Sequence, residues 1–567
     1  MSELLQWIPP GGLMVLGAIL VAFWPRTWRN LAVVFLPVVS WVHLVWGLPV
    51  GTELPLAFLD QQLMPVRVDK LSMVWGHIFH LAAFIGGLYS FHIDDRMEHT
   101  AALIYAGTAI GAAFAGDLIT LFVFWELTAI SSVFIVWAPR TEKTNRVGLR
   151  YLIISVLSGV ILLAGALIHV NQTGSIAFGH IGIDGLGGQL ILLAFGIKAA
   201  FPFLHNWLQD TYPEASATGT VFLSAFTTKL AIYALARGYA GTEILIPIGA
   251  AMTLFPIVYA VIENDLRRVL AYSLNNQLGF MVVGIGIGTE LALNGTAAHA
   301  FAHILYKALL FMAMGAVLHR VGTTKASELG GLHKSMPLTT IFCIIGSVSI
   351  SGLPLFSGFV SKSMIVTAGG ESHLLWLMIA LWVASAGVVD HSGIKVPFFA
   401  FFAHDSGKRV EEAPLNMLFA MGIAAACCIG IGIAPGYLYG ILPHPVDYHP
   451  YTAAHIFEML QLLLFAALAF VVMMNRGWYP DEIRSTNLDF DWTYRKAIPA
   501  VLGPAAHGTQ VAWAKLWEVI DENRRWVWWR ATRLFKPPGP MGEPWPTGDT
   551  ALWAAVILLA TLLIAGF

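Results

Sequence analysis

Apolar runs of about 17–25 residues, separated by short polar punctuation, recur from one end of the chain to the other. Such runs predict helices that cross a bilayer, because about 20 residues at a rise of about 1.5 Å each match its hydrocarbon core. They fall at 11–24, 29–47, 70–91, 100–115, 117–137, 148–170, 185–208 and 214–239. They continue at 244–262, 269–289, 294–319, 337–367, 372–402, 415–434, 454–475 and 551–567. The runs 337–367 and 372–402 are interrupted. The pattern predicts an all-α polytopic membrane protein of about 16 transmembrane helices. No small-x-small cleavage site follows the run 11–24, which is expected to remain as a span.

The basic residues orient these spans. With the N-terminus outside, inward loops hold Arg26 and Arg29, then Arg140, Lys143 and Arg146, then Arg267 and Arg268. Further inward loops hold Arg320, Lys325, Lys334, Lys408 and Arg409, while outward loops keep only Arg67, Lys70 and Arg237. That asymmetry satisfies the positive-inside rule. Five lysines fit neither side: Lys198, Lys229, Lys307, Lys362 and Lys395 lie within apolar runs. So does Glu126, in FVFWELTAISSVFIVW. An ionisable group at membrane depth costs roughly 2.5–3.5 kcal/mol on insertion scales and marks function by default. A carboxylate becomes tolerable there when an amine is within reach.

Of the 567 residues 57% are hydrophobic and 12% charged, about half the charge of an ordinary globular protein. The 3 cysteines have neither CxxC nor Cys/His spacing, which disfavours iron–sulfur ligation, a disulfide framework and any metal site. No GxGxxG or Walker-type loop is present, so neither a cofactor nor a nucleotide drive is expected, and nothing suggests nucleic acid.

Two spans are broken alike, in GIKAAFPFLHNWL and in SGLPLFSGFVSK. Proline removes a donor and frees carbonyls, which at membrane depth must line a polar cavity or be covered by protein. Five spans from 100 to 239 and five from 244 to 402 each carry the break in the fourth. An odd number of spans per unit inverts the second copy, an architecture of transporters. The expected organisation is an N-terminal three-helix segment (1–99), units 100–239 and 244–402, and two further helices (415–475). A cytoplasmic or lateral amphipathic segment (476–550) and an anchor helix (551–567) follow.

FWELTAISS, GIKAAFPFLHNWLQDTYPEA, SAFTTKLAIYAL, ENDLRRVLAYSLNNQLGF, HAFAHILYKALLFMAMGAV and GLPLFSGFVSK occur in this order. Together they resemble the antiporter-like subunits shared by Mrp-type cation/proton antiporters, respiratory complex I and membrane-bound hydrogenases. ASAGVVDHSGIKVPFFAFF is similar to the D-like branch of the Mrp group. The resemblance covers roughly 65–405 and implies a 14-helix core with two inverted five-helix repeats. It implies that Glu126, Lys198, Lys229, His303, Lys307 and Lys362 occupy the family's proton-carrying positions. The sixth span departs, offering only Ser155 and Ser158 where some relatives are acidic, and YPEASATGTVF departs after the first break. The resemblance implies a bacterial cytoplasmic membrane, partner membrane subunits, H+ and possibly Na+ as cargo, and contact with lipid. Classed as an enzyme, such a subunit would be of the translocase type with no redox centre of its own.

Three readings follow. The chain is part of a monovalent cation/proton antiporter; or it conducts protons to power a partner, such as inorganic carbon uptake or a redox module; or it is a scaffold without transport. Glu126 and Lys198 would exchange charge as they separate, the alternative being a permanent ion pair. His299, His303 and Lys307 are spaced four apart and share one helix face. Asp390, His391 and Lys395 would form the end of a proton relay, or Asp390 and Lys395 a local pair. Asp210 and Glu214 are expected to be solvated or at an entrance. The basic, Trp-rich stretch 513–536 would lie on the membrane surface or against a neighbouring subunit.

Overall fold

Helix starts are set by short polar side chains. In the computed structural model, which describes residues 8–58, 61–484, 487–537, 542 and 546–565, Asp69, Asp95, Asp117, Thr141, Asp265, Thr289 and Thr452 each accept a backbone N–H of the turn that follows. Each such cap is worth about 1 kcal/mol and fixes where the chain turns into its next crossing. The chain forms two compact units, 1–487 and 488–567.

The first unit opens with α1 (Gly12–Val21) and α2 (Arg26–Gly47). A two-stranded antiparallel hairpin, β1 (Glu53–Phe58) and β2 (Gln61–Arg67), follows and adds to the all-α expectation. Its alternation is too short and too irregular to stand out from loop in the sequence, and a register shift lies between Leu54 and Leu56. Next come α3 (Lys70–Tyr89), α4 (Arg96–Phe114), α5 (Leu118–Trp137), α6 (Glu142–Thr173), α7 (Leu186–Lys198) and α8 (Asn206–Thr211). They lead into α9 (Gly219–Ala225), α10 (Thr227–Gly238), α11 (Leu245–Ile262), α12 (Leu266–Ile287) and α13 (Glu290–Val321). The unit ends with α14 (Pro337–Ser351), α15 (Ser357–Glu371), α16 (Leu375–Val388), α17 (Leu415–Ile433) and α18 (Ala453–Arg476). The second unit holds α19 (Ile498–Phe535) and α20 (Thr547–Ala565). Among the described residues ten helices are long and apolar enough to cross a membrane, with four shorter apolar ones beside them. The chain is a multi-pass, all-α membrane protein.

Burial sorts these helices into a centre and a rim. α10, α12 and α13 are buried almost throughout, whereas α18 buries only Phe470. A central helix needs no apolar exterior, so α12 carries Asn275, Asn276 and Gln277 side by side.

Both expected breaks are present. Lys198 ends α7, and Ala200 and Phe203 take left-handed φ of 60° and 70° around Pro202. Gly352 and Leu355 take φ of 82° and 74° around Pro354, between α14 and α15. The two breaks share one pattern, left-handed residues three apart with proline just before the second. Phe226 interrupts a third span between α9 and α10, and π-helical turns at Val389–Lys395 and Phe398–Phe402 carry α16 onward. π-turns free carbonyls and concentrate at functional positions.

Candidate functional site

Lys198 is held by the helix that carries Glu126. Its Nζ donates to the Trp125 carbonyl at 3.0 Å and sits 4.5 Å from the centre of the Trp125 ring. Trp125 is itself fixed, because its Nε1 donates to Ser158 Oγ at 3.1 Å and Ser158 Oγ donates to the Ala194 carbonyl at 2.8 Å. The indole both orients Lys198 and supplies a π face for its charge. Glu126 is half-buried beside it, with a buried Oε1 that meets no hydrogen-bond partner. Lys198 acts on Glu126 electrostatically, but no ion pair joins them among the described residues. The permanent-pair alternative is therefore set aside for this conformation. Gly159 makes room for the carboxylate, since a Cβ there would overlap Glu126 Oε1.

Lys229 stands at the next break. Its Nζ donates to the Ser224 carbonyl at 2.6 Å, a group that the interruption at Phe226 leaves accessible. Among the described residues no hydrogen bond bridges Lys198 to Lys229. Toward the second half the spacing closes, because His303 is an electrostatic neighbour of both Lys229 and Lys307. Both ring nitrogens of His303 are buried without a partner. His299, one turn earlier on α13, lies 3.2 Å from Ser361 Oγ through Nδ1 and 3.1 Å from Gln277 Oε1 through Nε2. Tyr306 donates to the same Gln277 oxygen at 3.2 Å.

A continuous polar line leaves Lys307. Its Nζ donates to Ser273 Oγ at 2.8 Å, Ser392 Oγ donates to Ser273 Oγ at 2.6 Å, and His391 Nδ1 lies 2.9 Å from Ser392 Oγ. The π-helical turn brings Ser392 to Ser273 on α12. One turn on, Lys395 donates to the carbonyls of Val261 and Glu263 at 2.6 and 2.7 Å.

The counterion of Lys395 is Glu482, with Nζ–Oε1 at 2.9 Å. Lys395 is fully buried and Glu482 is 8% exposed. This corrects two expectations: the pair is not Asp390–Lys395, and Tyr479 and Glu482 turn inward from the expected surface segment. A buried amine with only carbonyls around it would be uncompensated, which gives the turn after α18 its reason to fold inward. Tyr479 comes with it and meets Asp390. Burial, only partly answered by Lys395, holds the Glu482 carboxyl above the usual glutamate range. WYPDEIR has no periodicity that could have announced this role.

Lys362 stands apart from that line. Its Nζ is buried without a hydrogen-bond partner, 5.6 Å from the Phe280 ring centre. It faces a cavity of about 670 Å³ whose other wall is α18, with His455, Glu458 and Gln461. Asp210 pairs with Arg150 at 2.6 Å and Glu214 with Lys143 at 2.6 Å, as residues of a charged rim.

The transmembrane family described as NADH:quinone oxidoreductase/Mrp antiporter matches residues 115–387. An uncharacterized protein of Mycobacterium tuberculosis is 31% identical over 440 residues, 70% of this chain and 67% of the relative. A Na(+)/H(+) antiporter component from Alkalihalophilus pseudofirmus is 29% identical, over 66% of this chain and 53% of that protein. The chain thus spans about two thirds of the first relative and about half of the second. A chain in the structure of the Mrp complex from Dietzia sp. DQ12-45-1b shares the fold, with a TM-score of 0.70 at 21% identity over 82% of this chain and 99% of that one. The broken helices and buried amines described above fall mostly inside the matched stretch, with Lys395 and Glu482 beyond it. On these matches the chain belongs to the NADH:quinone oxidoreductase/Mrp antiporter transmembrane family.

Proposed function

We propose that the chain is a proton-translocating, antiporter-like subunit of a multisubunit complex in a bacterial cytoplasmic membrane, with its N-terminus outside. Protons pass among Glu126, Lys198, Lys229, His303, Lys307, Lys362 and Lys395 in short hops. Hydroxyls and water bridge the steps, and charge on each group alters the proton affinity of the next. The two five-helix units, 100–239 and 244–402, are inverted copies that each supply a broken span. The complex couples this movement to a monovalent cation, Na+ being the first to test.

One observation carries the reading: the Lys307–Ser273–Ser392–His391 line, buried among helices and ending next to the Lys395–Glu482 pair. A packing role alone gives no reason to bury so many ionisable groups in one line at membrane depth. The magnitudes fit as well. Moving one charge through 100 mV is worth about 2.3 kcal/mol, which a change of about two units in proton affinity supplies at 1.36 kcal/mol each.

The test is Na+-dependent proton movement across inverted vesicles carrying the complex, with Glu126→Ala and Lys198→Ala beside the wild type. Both variants are expected to abolish proton movement while the same partner proteins co-purify in mild detergent. Full activity in either removes that residue from the mechanism. Proton movement that ignores every monovalent cation, together with a co-purifying redox or carbon-uptake module, replaces antiport with the powering role.

A further inference from the structure

Two cavities beside α4 share a wall. The first, of about 550 Å³, opens where the turns before α2, α4 and α6 meet, and Arg26, Arg29, Arg96 and Arg140 face it together with Asp94 and Asp95. The second, of about 450 Å³, is an apolar groove between α4 and α5, walled by Ile104, Leu127, Ile130 and Phe134. Arg96 and Met97 line both, so the arginine-rich mouth runs directly into the groove.

The charges at the mouth do not balance. Arg29 pairs with Asp94 and Arg140 with Asp95, while Arg26 stands 3.9 Å from Asp94. Arg96 has no ion pair among the described residues. Four guanidinium groups thus face two carboxylates. Arg29 is 1% exposed, and its Nε is buried without a hydrogen-bond partner. In the groove the buried Thr100 Oγ1 is likewise unpartnered. Basic pockets between membrane helices on the basic side of the protein fit anionic head groups.

We propose that this double cavity binds an anionic phospholipid, its phosphate against Arg96 and Arg26 and one acyl chain along Leu127, Ile130 and Phe134. A free phosphate would leave the groove unused, and a neutral lipid would leave the excess guanidinium charge unanswered. The site stands on its own observations and does not depend on the proton relay.

The experiment is native mass spectrometry of the purified full chain in detergent, with dioleoyl-phosphatidylglycerol, dioleoyl-phosphatidylcholine or inorganic phosphate added. The wild type is expected to retain phosphatidylglycerol in preference to phosphatidylcholine. Arg96→Gln should weaken phosphatidylglycerol binding about fivefold, the weight of one basic residue facing an anionic head group, and leave phosphatidylcholine unchanged. Ile130→Trp, which fills the groove, should lower phosphatidylglycerol binding without touching a charge. Arg96 has no ion partner to lose, and the melting temperature of each variant verifies folding. Equal retention of the two lipids by the wild type overturns the proposal, as does undiminished phosphatidylglycerol binding in both variants. Displacement of phosphatidylglycerol by equimolar inorganic phosphate assigns the mouth to free phosphate instead.

Discussion

Glu482→Ala removes the carboxylate from a buried ion pair and leaves Lys395 with two carbonyls, those of Val261 and Glu263. At 2.9 Å and an effective dielectric of about 20 the lost attraction is about 6 kcal/mol. The measured penalty will be smaller, because the variant has an escape. A lysine with a reference pKa of about 10.4 gives up its proton at pH 7 for about 4.6 kcal/mol, at 1.36 kcal/mol per unit. That figure caps the loss, and the two carbonyls bring the expectation to about 3–4 kcal/mol, within the range for breaking a buried pair. The sign of the pH dependence follows. The unfolded lysine keeps its proton until pH approaches its reference value, so the cost of folding with a neutral amine falls as pH rises. By pH 9 the cap is about 1.9 kcal/mol. Reversible unfolding in mixed micelles, titrated at pH 7 and pH 9, measures both values. The double variant Lys395→Met with Glu482→Leu, which leaves no charge to compensate, should fall within about 1 kcal/mol of the wild type or above it. A Glu482→Ala penalty that is equal at the two pH values, or that grows at pH 9, refutes the assignment of Glu482 as the counterion.

Gly159→Ala places a methyl on the site of Glu126 Oε1. The flexible carboxylate is expected to swing aside, so that proton movement in vesicles falls to the level of Glu126→Ala while expression stays normal. Ser273→Ala cuts the hydroxyl bridge between Lys307 and Ser392; a loss of about tenfold in proton movement is expected, the weight of one hydrogen bond of about 1.4 kcal/mol. Asp95 caps α4 and pairs with Arg140; burial works to raise its pKa and is outweighed by the Arg140 guanidinium and the Glu98 and Met97 N–H groups, which hold the carboxyl below its usual range. Asp95→Asn keeps a capping oxygen but loses the charge at the α4 N-terminus, so it should cost about 0.5 kcal/mol near neutral pH. The difference from wild type should shrink as pH falls from the ordinary carboxylate range toward that lowered value, read from melting curves between pH 7 and pH 3.

The sequence announced a multi-pass helical membrane protein, the breaks and the five buried lysines because each leaves a local mark: an apolar run, a proline at membrane depth, a lone charge. Contacts between distant segments leave no such mark. Ser273 and Ser392 are ordinary serines until the π-helical turn sets them 2.6 Å apart, and only the fold shows that they connect Lys307 to His391. Glu482 was hidden for the same reason, since its partner lies far back in the chain and its own neighbourhood looks like loop. The hairpin Glu53–Arg67 escaped because its first strand is exposed almost throughout and mostly apolar, so no alternation of polar and apolar positions marks it.

The paired breaks show what the two proposed repeat units have in common and where they differ. Ala200–Phe203 and Gly352–Leu355 repeat the same left-handed geometry around proline, so the backbone device is common to both halves. The lysines are not. Lys198 precedes its break at the end of α7, whereas Lys362 follows its break within α15; aligned by the breaks, Lys362 falls on Asp210, which is a rim residue paired with Arg150. Two equivalent channels would have kept the charges equivalent. Instead, Lys229 of the first half is an electrostatic neighbour of His303 and Lys307 in the second. Charge placed on one half is therefore felt by the other at α10 and α13. Among the described residues no hydrogen bond joins Lys198 to Lys229, so in the proposed relay hydroxyls and water complete that step. In that relay the step is the place where a change in the first half can open or close the path.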